Sequence, residues 1–267
     1  MNDLIITHPG KAHFDEFLAI SLILATHAET RFYIERRNPT IEELNDPAIW
    51  VVDIGGRHEP EKKNFDHHQD LDLGVSFVLV ANYLGLTDCL KTLPWWSFKD
   101  HIDRFGPIKT AKKLGIDKLA PTHSPVEDWM VQFFAQSPLL TQHIMFLFGS
   151  SIIEKAKRLS ERFQFWDRCD RVSVRNKNVL IGLTDDSAGL EEYCDAQNGG
   201  IDITITYDNR GRGWKLRTYN DSPGVNFFKL SDNSSISFAH RGGFVAKTRE
   251  RLAIDEVLRL TAAAIDD

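Results

Sequence analysis

Residues Ile49–Gly56 read IWVVDIGG. The first six are apolar or β-branched except for Asp53, and Gly55-Gly56 stop the run. A short run that is apolar on both faces is what a strand needs when helices cover both sides of its sheet. Working backward, Arg31–Arg37 (RFYIERR) alternates and predicts a strand. Thr40 and Glu43 between the two runs have the spacing of a capping box for a short helix. Leu4–Thr7 predicts a first buried strand. Asp15–Ala28 has the apolar density of a helix, with Asp15 and Glu16 placed in its first turn. The order strand, helix, strand, helix, strand predicts βαβ units and a mostly parallel sheet flanked by helices.

Working forward, Ser76–Leu84 predicts a helix ended by Gly85, and Pro94 opens another that runs through Arg104. Residues 109–170 read as helical. Leu139–Arg171 is a long proline-free stretch with Gly149 as its expected point of kinking or splitting. From Val172 the pattern changes to short strands and turns: VSVRNKNVLIGLT, DITITY, GWKLRTY and SISFAHRGGF. A helix of about 15 residues is expected from Thr248. The reading is therefore an α/β protein of two domains. Residues 1–170 form the larger one, helical from about residue 94, and residues 171–267 a smaller α+β one.

Bulk properties narrow the function classes. The chain has 267 residues and a formal net charge of -6, which argues against a strongly basic nucleic-acid coat protein. It leaves room for a nuclease with a local basic groove. The longest apolar run, Phe17–Ala25, is nine residues and too short to span a membrane. The N-terminus carries Asp3 and no basic stretch, so no signal peptide is expected. Cys89, Cys169 and Cys194 form no CxxC motif, which disfavours a disulfide scaffold or zinc knuckle and fits a reducing cytoplasm. Of 10 histidines, seven fall in the first 101 residues, where an even spread would put about four.

Four segments carry these histidines together with carboxylates: His8-Pro-Gly-Lys-Ala-His13-Phe-Asp15-Glu16, Asp53, Asp66-His67-His68, and Asp100-His101-Ile-Asp103. Three of the four follow predicted strands, where open α/β sheets bind ligands. Asp100 and Asp103 share a helix face. Any one of these side chains alone reads as an ordinary hydrogen-bonded or surface group. All four segments together, with mixed nitrogen and oxygen donors and no thiolate, point to manganese, zinc, iron or magnesium. His8, His13, Asp15, Asp53, Asp66, His67 and Asp103 outnumber the ligands of one catalytic zinc. They suit two ions sharing a carboxylate, an arrangement used for phosphoryl displacement.

The motif Asp66-His67-His68 resembles the one that names the DHH phosphoesterases. THPGKAHFDEFLA, VVDIGGRHEP and NFDHHQ resemble most closely the Myg-type (melanocyte-proliferating-gene) exonuclease branch, and FAHRGGFVAKTRE resembles its closing block. The resemblance is clear across residues 4–70 and around 100–106 and 238–250. It implies that His8, His13, Asp15, Asp53, His67 and Asp103 bind metal, with Asp53 bridging. It implies catalytic roles for Asp53, Asp66 and His68, with His68 touching the substrate phosphate. Asp100 is an adjacent supporting candidate. Manganese is the implied metal. His240, Arg241, Gly242, Gly243, Lys247 and Arg249 are the implied substrate contacts. Where the branch usually carries Gly-Gly-His-His before its TRE, this chain has Val245-Ala246-Lys247, and the glycine loop is reduced to Gly242-Gly243.

Basic residues in the C-terminal part concentrate at Arg210, Arg212, Lys215 and Arg217, and at Arg241, Lys247, Arg249 and Arg251. Lys247–Arg249 is expected at a helix N-terminus, which favours an anion. Trp214 and Phe244 are candidates for base stacking, with core packing the commoner role of such side chains.

The leading expectation is a two-metal phosphoesterase acting on short oligonucleotides or single-strand ends. A phosphatase on a small phosphorylated metabolite or nucleotide, and a non-catalytic metal- or nucleotide-binding regulator, remain alternatives. A homodimer stays open.

Overall fold

The structure is a computed structural model and describes residues 3–117, 124–197, 199–219 and 222–266. Residues 118–123 of the stretch expected to be helical lie outside the described residues. The chain is α/β with two mixed sheets, and it divides into two compact units, residues 1–158 and 159–267.

In the first unit, β1 (Asp3–Thr7), α1 (Phe14–Thr26), β2 (Phe32–Arg36), α2 (Ile41–Asn45) and β3 (Ile49–Val52) follow the expected alternation. Two short strands come next, β4 (His58–Glu59) and β5 (Asn64–Phe65). The sheet order is β2-β1-β3-β5-β4. β1 pairs in parallel with β2 and β3, and β3 with β5, whereas β4 runs antiparallel to β5. The chain passes from β1 outward to β2 and then returns across β1 to β3. The carboxyl ends of β1 and β3 thus lie side by side, with Thr7 opposite Val52. That reversal is where an open α/β sheet leaves a crevice.

The capping box of α2 forms as its spacing predicts. Thr40 Oγ1 accepts the Glu43 N–H, and the Glu43 carboxylate accepts the Thr40 N–H. The middle of α1, from Asp15 to Leu24, is buried throughout, so this helix is a core element with no solvent face there. α3 (Ser76–Tyr83), α4 (Thr87–Leu90), α5 (Trp96–Leu114) and α6 (Pro125–Gln136) follow. α5 bends at Gly106, whose φ of 75° no ordinary helical residue adopts, with Pro107 next to it.

α7 (Pro138–Asp167) runs unbroken through Gly149. Gly149 does not split the helix and instead serves a close approach. A Cβ there would lie 2.1 Å from the Ser21 carbonyl oxygen of α1.

The second unit holds β6 (Asp170–Val174), β7 (Lys177–Gly182), α8 (Leu190–Ala196), β8 (Ile203–Tyr207), β9 (Trp214–Thr218), β10 (Ile236–Ala239), β11 (Val245–Thr248) and α9 (Ile254–Ala263). Its sheet order is β10-β11-β9-β8-β7-β6, antiparallel except for the β7–β8 pair that α8 connects. Arg175 and Asn176, both at positive φ, make the tight β6–β7 turn. Alternation along β7 divides two cores. Val179 and Ile181 pack with Val257 and Leu260 of α9, while Leu180 packs with Trp166 and Tyr193.

The last helix starts six residues later than expected. Thr248 closes β11 instead, because its hydroxyl accepts the Trp214 N–H at 2.7 Å and donates to the Glu250 carbonyl at 2.7 Å. Lys247 and Arg249 therefore stand at a strand end, and the helix-dipole argument for an anion there does not apply. Among the described residues no helix is long and apolar enough to cross a membrane.

Candidate metal centre

His8 leaves the end of β1 and Asp53 the end of β3, so the sheet register alone makes them neighbours. Asp53 has φ 60°, a left-handed conformation that aspartate tolerates better than most residues. It turns the chain sharply after the strand, and its N–H is held by the Phe65 carbonyl at 3.0 Å. The Asp53 carboxylate is buried.

The start of α1 supplies two further carboxylates from below. Glu16 reaches back to accept the His13 N–H with both oxygens, each at 2.9 Å, the reciprocal half of a capping box. Asp15 accepts the backbone N–H groups of Ser76 at 2.9 Å and Phe77 at 2.7 Å, and so caps the first turn of α3. Ser76 Oγ stands 3.1 Å from Asp53 Oδ1 and 2.9 Å from the Phe65 carbonyl oxygen. One short helix thus fixes both carboxylates.

His67 follows β5 into the same crevice. Its Nε2 lies 3.4 Å from Asp15 Oδ2, 3.4 Å from Asp53 Oδ1 and 3.5 Å from Asp103 Oδ2, the last coming from α5. His68 turns outward and is largely exposed. Its Nδ1 is 2.7 Å from Asp66 Oδ1. Asp66 also accepts the N–H groups of Gly56 at 2.6 Å and His68 at 3.1 Å.

Donor atoms converge in three groups: His8, His13, Glu16 and Asp53; Asp53, His67 and His68; and Asp15, His67 and Asp103. Asp53 joins the first two and His67 the last two. The backbone also selects the His8 tautomer that can ligate once the ring is neutral. His8 Nδ1 lies 3.0 Å from the Pro9 carbonyl oxygen, which can only accept, so the ring proton sits on Nδ1 and Nε2 is left for the crevice. The buried Nε2 atoms of His8 and His67 have no hydrogen-bond partner although carboxylate oxygens stand close by. Such contacts without hydrogen-bond geometry fit ligands that share a cation.

The electrostatics agree. Contact with Glu16 pushes the His8 imidazolium up to about 9, against the effect of burial. Burial opposes the charge on His67, but Asp15 and Asp53 outweigh it and push the group up to about 10. Burial and then the Asp15 charge raise Asp53 well above the usual carboxylate range, and raise Asp103 to about 7. Burial and crowded carboxylates thus disfavour the charged form of Asp53 and Asp103, and divalent cations would relieve that crowding. Asp66 differs. Burial acts upward on it, but the contacts from His68 and Gly56 prevail and hold it below the usual range.

The sequence marks Glu16 as a first-turn residue of α1 and Ser76 as a helix residue, and neither as a member of the site. Only the third dimension reveals either role. Asp100 belongs to none of the three donor groups; it accepts the Val75 N–H at 3.1 Å and pairs with Arg104 at 2.5 Å. It thereby steadies the segment that enters α3. The histidine excess divides by role. His27 packs on Trp50, His58 on Phe65 and His101 on Phe105, while His8, His13, His67 and His68 gather in the crevice.

In the second unit, His240–Gly243 form the β10–β11 turn. Gly242 donates its N–H to His240 Nδ1 at 3.0 Å and Gly243 to the His240 carbonyl at 2.8 Å, so the turn uses both amides. Arg241 is exposed. Lys247 pairs with Asp208 at 2.7 Å, and Arg249 Nε donates to the Ser234 carbonyl at 2.9 Å. Trp214 is a core residue, 4% exposed, with its indole N–H on the Leu252 carbonyl at 2.9 Å. Phe244 packs on His240 with ring centroids 4.1 Å apart.

Comparison with known proteins places the likeness on the half of the first unit that carries most of this cluster. Relatives named MYG1 exonuclease are 38% identical in Rattus norvegicus and 37% identical in Homo sapiens, each over 68 residues. The matched stretch covers 24% of this chain and 16% of each relative, so the chain shares about a sixth of the length of the curated relatives it matches. Residues 4–72, from β1 through the Asp66-His67-His68 motif, match the MYG1_exonuc family, described as uncharacterised protein family UPF0160.

Proposed function

We propose that this protein is a metal-dependent phosphoesterase of the Myg-type branch of the DHH phosphoesterases. It would hydrolyse phosphodiester bonds in short oligonucleotides or at single-strand ends. The observation that carries the reading is the convergence of three donor groups that share Asp53 and His67. The nuclease name of the relatives over residues 4–72 supports the substrate class. Two divalent ions, manganese foremost, suit the mixed imidazole and carboxylate donors. His8, His13 and Asp53 would hold one, with Glu16 close by, and Asp15, Asp53, His67 and Asp103 the other. When bound, such ions lower the pKa of water and offset charge on a phosphoryl group.

The chain's own residues do the rest. Asp53, fixed between two strands by its left-handed turn, holds the two halves of the site together. Asp15 ties the site to α3 and keeps it rigid. His68, steered by Asp66, presents its outer ring nitrogen to solvent, where a phosphate oxygen or a leaving group would take a proton from it. Its partner Asp66 is held below the usual carboxylate range and stays ionised. His240, Arg241 and Arg249 remain proposed contacts to the substrate chain, and Lys247 would have to leave Asp208 to act as one. The three free cysteines suit a reducing cytoplasm.

The test is hydrolysis of an end-labelled oligonucleotide by manganese-loaded protein, with bound metal measured by elemental analysis. Asp53→Ala and His67→Ala should abolish turnover and lower metal content while the fold persists. Full turnover with unchanged metal in both variants refutes the assignment. Phosphate release from small esters with no cleavage of the oligonucleotide favours the phosphatase alternative. Metal binding without hydrolysis of either favours a regulator.

A further inference from the structure

A cavity of about 460 Å³ opens directly beside the metal-ligand cluster, inside the first unit, and His13, Asp15 and Asp103 form its inner edge. Its size falls in the range of small-molecule sites. The opposite wall is α6. Asp128, Gln132 and Gln136 recur there at four-residue spacing, so they lie along one face of that helix. Val131 and Ala135 alternate with them on the same side, and Phe14, Phe77 and Ile102 complete an apolar floor. The cavity thus joins metal ligands to apolar walls that bear amides, a carboxylate and the cations of Lys11 and Lys99, the latter paired with Glu127.

We infer that this cavity is the seat of a single nucleobase, that of the nucleotide whose phosphate lies at the metal ligands. This inference rests on the function proposed above and adds where the base is held. A planar base needs apolar surface against its faces, which Phe14, Ile102, Val131 and Ala135 offer. It also needs polar groups at its edge. Glutamine amides both donate and accept, and they match the paired donor and acceptor of a purine edge. Asp128 accepts only, which suits an exocyclic amino group and repels a phosphate. Asp128 therefore favours the base at the α6 wall, with the phosphate toward the metal ligands. A volume of this size accommodates a nucleoside, as a chain end or a free nucleotide would present it.

Gln132 is exposed, so Gln132→Trp fills the cavity without disturbing the core; Ala135→Trp is a second obstruction from the adjoining position. Three probes are compared by calorimetry: adenosine 5′-monophosphate, inorganic phosphate and adenosine. Manganese-loaded wild type should bind the nucleotide at least about tenfold more tightly than phosphate, the lower range of what one held base contributes. Both variants should lose that margin while keeping phosphate affinity and manganese content. Metal-free wild type should bind adenosine, and the variants should not, a readout independent of turnover.

If nucleotide and phosphate bind wild type equally and adenosine does not bind, the inference falls, whether or not oligonucleotides are hydrolysed. Variants that keep the tenfold margin overturn it as well. If adenosine binding is present and obstructed as expected but no ester is hydrolysed, the cavity assignment stands and the proposed activity falls.

Discussion

His8 Nε2 lies 3.0 Å from Glu16 Oε1 and forms no hydrogen bond with it. A helix-capping carboxylate is thereby placed against a candidate metal ligand. Glu16→Gln keeps the cap, because glutamine serves equally well at this position of a capping box. It removes the charge. In metal-free protein the His8 imidazolium should titrate below its present value of about 9, read by histidine proton resonances against pH. Metal affinity should fall about 10–100-fold, the usual cost of losing a supporting or ligating group. An unchanged His8 titration would show that the contact carries no charge coupling.

The metal-free protein should lose stability as pH rises. His8 and His67 are raised in the folded state, to about 9 and about 10, from an ordinary 6.5. Their protonation stabilises the fold fully below pH 6.5, and that contribution is lost as pH rises through the folded values. Asp103, raised to about 7, acts in the same direction over a lower range, from its ordinary 3.8 upward. Manganese should reverse the trend, because ligands must be deprotonated to bind it. Thermal melts at pH 6, 7.5 and 9, with chelator and with manganese, make the comparison. Parallel curves in the two conditions would contradict it.

Asp66→Asn should separate orientation from ligation. Asp66 touches His68 and two backbone amides and belongs to none of the three donor groups. Turnover should drop about 10–100-fold with bound metal unchanged. Loss of metal in this variant would move Asp66 into the ligand set.

Gly149→Ala tests the approach of α7 to α1. In an open helix, alanine is about 1 kcal/mol better than glycine. Here the added Cβ would lie 2.1 Å from the Ser21 carbonyl oxygen, and overpacking costs about 1–3 kcal/mol. The clash should prevail and lower the melting temperature by several degrees. A melting temperature at or above that of the parent chain would refute the contact.

Much of the first unit is legible along the chain. The alternation of β2, the apolar run of β3 and the box at Thr40 and Glu43 depend on neighbours a few residues apart, so the sequence alone determined these elements. The four segments bearing ligands were legible for a related reason: His8, Asp53 and His67 follow strands, His13 and Asp15 open a helix, Asp103 lies within one, and the element order brings strand ends together. What no local pattern carries is contact across the chain. Glu16 joins the cluster, Asp100 turns to the entry of α3, Gly149 admits the backbone of α1, and Thr248 stays in a strand held by Trp214. Asp15 and Ser76 are 61 positions apart in sequence and meet only because the strands return across β1. Hydrogen bonding and close packing act between whichever groups the fold brings within a few ångströms, and that choice belongs to the tertiary structure.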